Sequence, residues 1–272
     1  MKLKIGGDIV YKAKFKLQGQ PNDEATIAFN NSSIQMNNTT IQPSQMKWDA
    51  PVSGTVYGTL LNYRGTLATL GDSVNESPYK EPPKAPILYI KPTNTMSGFG
   101  AEIPLPNSVE KLEVGATLGI VIGKTATNVN ADFAKEYIAG YTIVNDMTVP
   151  HESIFRPAVQ HRARDGFCPI GPWVIEKDAV NNPDNLSLKV YVNGDLVQEN
   201  TTLNLIRSVS QLLADVTEYM TLFTGDVLLV GVPENPPLVK SGDNIRIEID
   251  QIGFLENVVV PENEMNIGGD VQ

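Results

Sequence analysis

Apolar and polar positions alternate from the start of this chain. Ile9, Tyr11, Ala13 and Phe15 interleave with Val10, Lys12, Lys14 and Lys16, the period of two that sets one face of a strand on a core and the other toward water. Residues 1 to about 50 therefore read as a small β module. Loop-rich clusters, Asn30 to Ser33 and Asn37-Asn-Thr-Thr40, break its later part. Gln42-Pro-Ser-Gln45 and Asp49-Ala-Pro-Val-Ser-Gly54 then place a linker near residues 40 to 54.

Residues 51–272 form the main body, where short apolar runs predict strands at Leu118–Ile122, Lys189–Val192, Val227–Val230 and Ile245–Ile249. Asn193-Gly194 predicts a two-residue hairpin, because both residues accept the positive φ angles of a type I′ turn. Helices are few. Asn130 can cap a segment whose Phe133, Tyr137 and Ile138 share a face, with Gly140 placed to end it. A second helix is expected over Asn204–Met220, where Leu205, Val209, Leu212, Leu213, Val216 and Met220 recur three and four residues apart as a core stripe. Pro78 to Pro86 reads as an ordered loop that could border a pocket. The fold class is mostly β with a few helices, and neither an internal repeat nor a low-complexity tract is visible.

Composition narrows the class. At 272 residues the chain can bury a sizeable core, and its one cysteine, Cys168, cannot close an internal disulfide. No apolar run approaches the roughly 20 residues of a spanning helix, and Met1-Lys-Leu-Lys-Ile-Gly-Gly7 lacks the apolar stretch of a secretory signal, so a cytoplasmic protein is expected. A net charge of −10 repels phosphate backbones. Neither nucleic acid nor membrane is an expected partner.

From Gly58 to Val260, about three quarters of the chain, motifs follow in a definite order. They are Leu61-Asn-Tyr63, Tyr89-Ile-Lys-Pro-Thr-Asn-Thr95, Gly119-Ile-Val-Ile-Gly-Lys124, Ile138-Ala-Gly-Tyr141 and Asn145-Asp146. Arg164-Asp-Gly-Phe-Cys-Pro-Ile-Gly-Pro172, Val192-Asn-Gly194, Tyr219-Met-Thr-Leu222 and Gly225-Asp226 come next. The series resembles the fumarylacetoacetate hydrolase family. Within it, Ser77-Pro-Tyr-Lys-Glu-Pro-Pro-Lys84 and Glu152-Ser-Ile-Phe-Arg-Pro-Ala158 resemble the amino-terminal half of two-part isomerase/decarboxylase members from 4-hydroxyphenylacetate (homoprotocatechuate) degradation.

The resemblance implies a mixed β-sandwich/β-roll fold, commonly dimeric, acting on a keto-enol di- or tricarboxylate. It also implies Mg²⁺ or Mn²⁺ held by a Glu-x-Glu on the strand before Ile-Gly-Lys and by an Asp after the next helix. Such a hard cation takes oxygen ligands and stabilises charge that develops as a proton moves or a C–C bond breaks. Here the chain departs from the family's pattern. The two Glu positions fall on Gly115 and Thr117, and only Asp146 keeps its place as metal ligand. Glu113 lies two residues from the first position, about 7 Å along a strand face. The family's His and following Glu fall on Thr66 and Thr69, its Lys before Asp-Gly on Arg162, and its Gly-Thr-Pro reads Gly231-Val232-Pro233. Asn62, Lys91 and Gly171 match and carry over as substrate-binding positions with Arg162.

Each candidate has two readings. Asp146 is a metal ligand or a loop cap that orients Asn145. Lys91 pairs a substrate carboxylate or snorkels from an edge strand. Arg162 clamps an anion or joins an ion-paired turn with Arg164. Glu152 shuttles protons from a lid or is a solvated loop charge. His151 and His161, ten apart, show no ligand or dyad pattern and read as surface or lid residues. Cys168 reads as a small packed residue.

Two function classes follow. In one, the chain itself catalyses: it isomerises or decarboxylates the keto-enol di- or tricarboxylate with metal on Asp146 and unpredicted ligands, or is a hydrolase or decarboxylase of an acylpyruvate- or oxaloacetate-like substrate with divergent metal ligands, or works without metal through Arg162, Lys91 and Glu152. In the other, preferred because several losses meet at one pocket, it is a metal-site-depleted subunit needing a related, complete partner chain.

Overall fold

The computed structural model describes residues 3–5, 8–29, 34–36, 39–76, 80–151 and 158–265. Among these, strands dominate and helices are short: α1 is Arg64–Thr69, α2 is Val159–Arg162 and α3 is Val209–Thr217.

The largest sheet has 12 strands, ten along one path, with Leu3–Ile5 beside Asp8–Lys16 and Met96–Ser97 beside Cys168–Glu176 off it. Its path runs Thr39–Ile41, Ile34–Met36, Asn22–Phe29, Asp8–Lys16, Cys168–Glu176, Ile138–Asn145, Ala116–Ile122, Val227–Leu229, Val56–Leu60 and Ile87–Lys91. The strand Asp8–Lys16 pairs with Cys168–Glu176 in the register Phe15 to Trp173, so the amino-terminal strands continue the main sheet. Its alternation is realised as expected: Tyr11, Ala13 and Phe15 are buried, while Lys12 and Lys14 face water. The central strand Ala116–Ile122 is buried along its whole length, which explains its continuous apolar reading.

A second sheet orders Asp195–Thr201, Ser187–Val192, Asn244–Ile249, Gly253–Pro261 and Glu102–Leu105. The hairpin at Asn193-Gly194 forms with φ of 54° and 90° and Val192 opposite Asp195. An aromatic chain joins the sheets and the amino-terminal segment. Trp48 packs edge-on against Phe15, Phe99 and Trp173, and Trp173 meets Phe254 with ring centroids 6.1 Å apart.

Three expectations need correction. The helix expected from Asn204 begins at Val209, because the Ser208 hydroxyl accepts from the Gln211 N–H and caps it there. Leu205 belongs instead to the bridge with Tyr63, although it is buried as the stripe implied. The Asn130-capped segment is a 3₁₀ turn, Ala131–Tyr137; Asn130 does accept from the Asp132 N–H, but Phe133 stands 58% exposed and Ala134 is the buried residue. Gly140 sits within a strand rather than ending a helix, and a Cβ there would strike the Ile175 carbonyl oxygen. Helix α1 had no sequence expectation at all, being too short for a helical period to register.

Candidate active site

At the end of the strand Ile138–Asn145 the chain delivers Asp146 into a fully enclosed position. The strand Ile87–Lys91, two residues of which reach the same point, supplies Lys91 and Tyr89, and α2 supplies Arg162. Lys91 Nζ lies 2.9 Å from Asp146 Oδ1, with neither side chain exposed. Arg162 donates to Asp146 Oδ2 at 2.9 Å, and the Tyr89 hydroxyl donates to that same oxygen. The Arg162 guanidinium also sits over the Tyr89 ring, 4.7 Å from its centroid. Tyr89 is accommodated because a Cβ at Gly58 would overlap its ring.

The Lys91 ammonium has three donors, and two more oxygens meet them: the main-chain carbonyls of Met147 at 3.1 Å and Arg162 at 2.8 Å. Burial alone would raise the Asp146 carboxyl, but Lys91, Arg162 and the Tyr89 hydroxyl outweigh it and hold the group below its ordinary range, ionised. Burial and the adjacent Asp146 charge push the Tyr89 phenol well up, so it stays protonated as the donor. Two cations and one carboxylate leave this cluster a net positive charge.

A cavity of about 180 Å³ opens beside the cluster. Tyr89, Asp146 and Arg162 form one wall, and Thr59, Thr66 and Glu234 are also among its lining residues. Glu113 borders it too; burial raises its carboxyl, against the opposing pull of His151 and Arg162.

Of the candidate positions, Lys91, Asp146 and Arg162 come together. Lys91 does not snorkel, and Asp146 does not orient Asn145, whose side-chain oxygen instead accepts from the Gly115 N–H at 3.1 Å. Asn62 spends its amide on main chain, donating to Val230 and Arg207 carbonyls and accepting from the Arg207 N–H. Gly171 faces Pro51 and is not among the residues lining the cavity. Glu152 lies outside the described residues, as does most of the proposed lid. His151 and His161, unrelated by spacing, stack with ring centroids 4.8 Å apart. Cys168 is buried, and its thiol is pushed up to about 12 by burial, with the Lys91 charge opposing. Glu234 escaped sequence reasoning, because it follows a motif whose hydroxyl had been lost.

The residues do not fit a divalent cation. A Cβ at Gly115 would overlap the Asp146 carbonyl oxygen, so this backbone leaves no room for a Glu there. Thr117, at the second Glu position, is buried and donates to the Gly231 carbonyl at 2.6 Å. Both Asp146 oxygens already face cations, and a metal would have to displace an ammonium at 2.9 Å. Among the described residues no group of three His, Cys, Asp or Glu could hold a metal ion.

Comparison with known proteins agrees with the order of motifs. Residues 55–260 match the family described as fumarylacetoacetate (FAA) hydrolase C-terminal. The 4-hydroxyphenylacetate degradation bifunctional isomerase/decarboxylase of Escherichia coli is 42% identical over 214 residues, 79% of this chain and 49% of that protein. The chain thus spans about half the length of the curated relatives it matches first. Among solved structures, 5-carboxymethyl-2-hydroxymuconate delta-isomerase from Mycobacterium smegmatis superposes with a TM-score of 0.72 at 25% identity, covering 92% of this chain and 98% of that one. Maleylpyruvate hydrolase from Sphingobium sp. SYK-6, solved with manganese(II) and pyruvate, gives 0.72 at 25% identity, covering 92% and 99%.

Proposed function

Because the chain belongs to the fumarylacetoacetate hydrolase family, we propose that it serves isomerase/decarboxylase chemistry on a keto-enol di- or tricarboxylate in aromatic-compound catabolism. It does so as a metal-site-depleted subunit, paired in the cytoplasm with a second chain of the same fold that carries the complete carboxylate set for Mg²⁺ or Mn²⁺. The observation that supports this reading is the Lys91–Asp146–Arg162 cluster, which satisfies internally the one carboxylate left of the metal site. The 42% identity to one half of a bifunctional relative supports the substrate class and the pairing.

In this reading Arg162 and Tyr89 form the wall that faces the substrate. The guanidinium, fixed on Asp146 and over the Tyr89 ring, presents a preset positive charge to a substrate carboxylate or enolate oxygen. Lys91 holds the cluster together by binding two carbonyls and the carboxylate, and it orients α2 through the Arg162 carbonyl.

The test is isomerisation of 5-carboxymethyl-2-hydroxymuconate by the chain alone and after mixing with a same-fold chain that has intact Glu-x-Glu, together with their mass in solution. Co-assembly with at least tenfold greater turnover than either chain alone supports the pairing. Full turnover by this chain alone, insensitive to chelator, removes the need for a partner.

A further inference from the structure

Near the cavity lie buried polar atoms with no hydrogen-bond partner among the described residues: Thr59 Oγ1, the Tyr63 hydroxyl and Glu234 Oε2. Thr59 is 2% exposed and Tyr63 not at all. Thr59 and Glu234 line the cavity, whereas Tyr63 is fully enclosed; burial above all, and then the Glu234 charge, raises its phenol. A buried polar atom left unpaired costs free energy of order 1–3 kcal/mol. Two of these atoms belong to residues lining one cavity, Thr59 and Glu234, and mark it as built for a ligand.

The Glu234 carboxylate is held in place from several sides. Asn200 donates to Oε1 at 3.1 Å, which leaves Oε2 as the acceptor. Gly65 in α1 clears the space, since a Cβ there would overlap the carboxyl group. The loop itself is tied down by Gln198, whose amide donates to the carbonyls of Glu234 at 2.8 Å and Asn235 at 3.2 Å. Arg162 and Tyr89 line the same cavity. A fixed cation and an acceptor oxygen on residues lining one cavity are what an enolising proton transfer needs: the cation holds the acid while the acceptor takes its proton.

We propose that Glu234 is the catalytic proton-transfer group of this cavity, working without metal on a small 2-oxo acid. This rests on the substrate class of the proposed function. Glu234 Oε2 removes a proton from the carbon next to the 2-oxo group; the C–H bond breaks, its electron pair enters the conjugated system, and the oxyanion forms toward Arg162. The same carboxyl returns a proton to that carbon, or two carbons along where a C=C double bond in the substrate extends the enolate; the O–H bond breaks and the new C–H bond forms. No atom or electron is gained or lost. Thr59, whose hydroxyl has no partner among the described residues, donates to a substrate oxygen that Arg162 does not reach.

The test follows pyruvate in D₂O with the full, chelator-treated chain, reading methyl-proton loss by NMR and binding by saturation transfer. The expected result is exchange above the buffer rate, falling about a hundredfold or more in Glu234→Gln while pyruvate still binds. Glu234→Asp should keep part of the rate. Asn200→Ala, which frees Oε1, should slow exchange and move its pH dependence. Exchange by Glu234→Gln at the wild-type rate, or an unmoved pH profile in Asn200→Ala, overturns the assignment and leaves the substrate class standing. Failure of the wild-type chain to bind pyruvate also overturns the assignment, while the mixing assay with 5-carboxymethyl-2-hydroxymuconate judges the substrate class and the paired-chain reading separately. Unfolding midpoints of the variants separate lost chemistry from lost structure.

Discussion

Lys91 and Asp146 form an ion pair of 2.9 Å in which neither side chain reaches solvent. Removing one partner of such a pair leaves an uncompensated buried charge. Lys91→Met should therefore cost about 3 kcal/mol, toward the low end for a broken buried pair because Arg162 remains on the other oxygen. Denaturant unfolding measures it. The double variant Lys91→Met with Asp146→Asn should recover part of the loss, and strict additivity of the two costs would contradict the coupling.

The acid limb of stability should belong partly to Asp146. Its carboxyl is held below the ordinary value of 3.8, so the stability it contributes is present above that value and is lost as pH falls through the lower folded one. Glu113 works in the opposite sense, since burial raises it above 4.5, and its contribution is lost as pH rises through its folded value. Urea midpoints between pH 2 and 5 should fall steeply toward acid in the wild type and less so in Asp146→Asn. Parallel curves would show that Asp146 does not carry the limb.

Titration calorimetry of chelator-treated protein with Mg²⁺ or Mn²⁺ should show no saturable one-site binding. Gly115→Glu alone should not create a site. It should lower the unfolding midpoint instead, because its Cβ needs the space of the Asp146 carbonyl. Saturable binding by the wild type would require that Lys91 leave Asp146.

Cys168 should resist a thiol reagent in the native state. Its thiol is pushed up to about 12 and is fully buried, so almost none is thiolate at pH 8. Modification should follow global unfolding, and rapid native-state labelling would contradict this burial.

We propose that residues 1–50, although they read as a separate module, cannot be removed cleanly. The strand Asp8–Lys16 pairs with Cys168–Glu176, and Trp48 fills a place among Phe15, Phe99 and Trp173. Truncation at about residue 50 should yield insoluble protein, since it bares a strand edge and a large apolar surface. Trp48→Ala in the full chain should cost about 3–5 kcal/mol. A soluble, cooperatively folding truncated chain would establish a separate module.

The sequence by itself determined what depends on local chemistry. The alternation around Tyr11–Phe15, the apolar run at Leu118–Ile122 and the positive-φ turn at Asn193-Gly194 carry their structure in neighbouring residues. The missing carboxylates at Gly115 and Thr117 were equally legible, being matters of residue identity. Only the tertiary structure decided what replaces them. Lys91, Asp146 and Arg162 stand 55 and 16 residues apart along the chain, and nothing local says that an ammonium will meet both a carboxylate and two carbonyls. Likewise Glu234 becomes a candidate only when Gly65 clears its space and Asn200 takes one of its oxygens. The reason is physical: charge and burial act through space, and the energy of a buried polar group is set by partners that the fold, not the adjacent sequence, brings within reach.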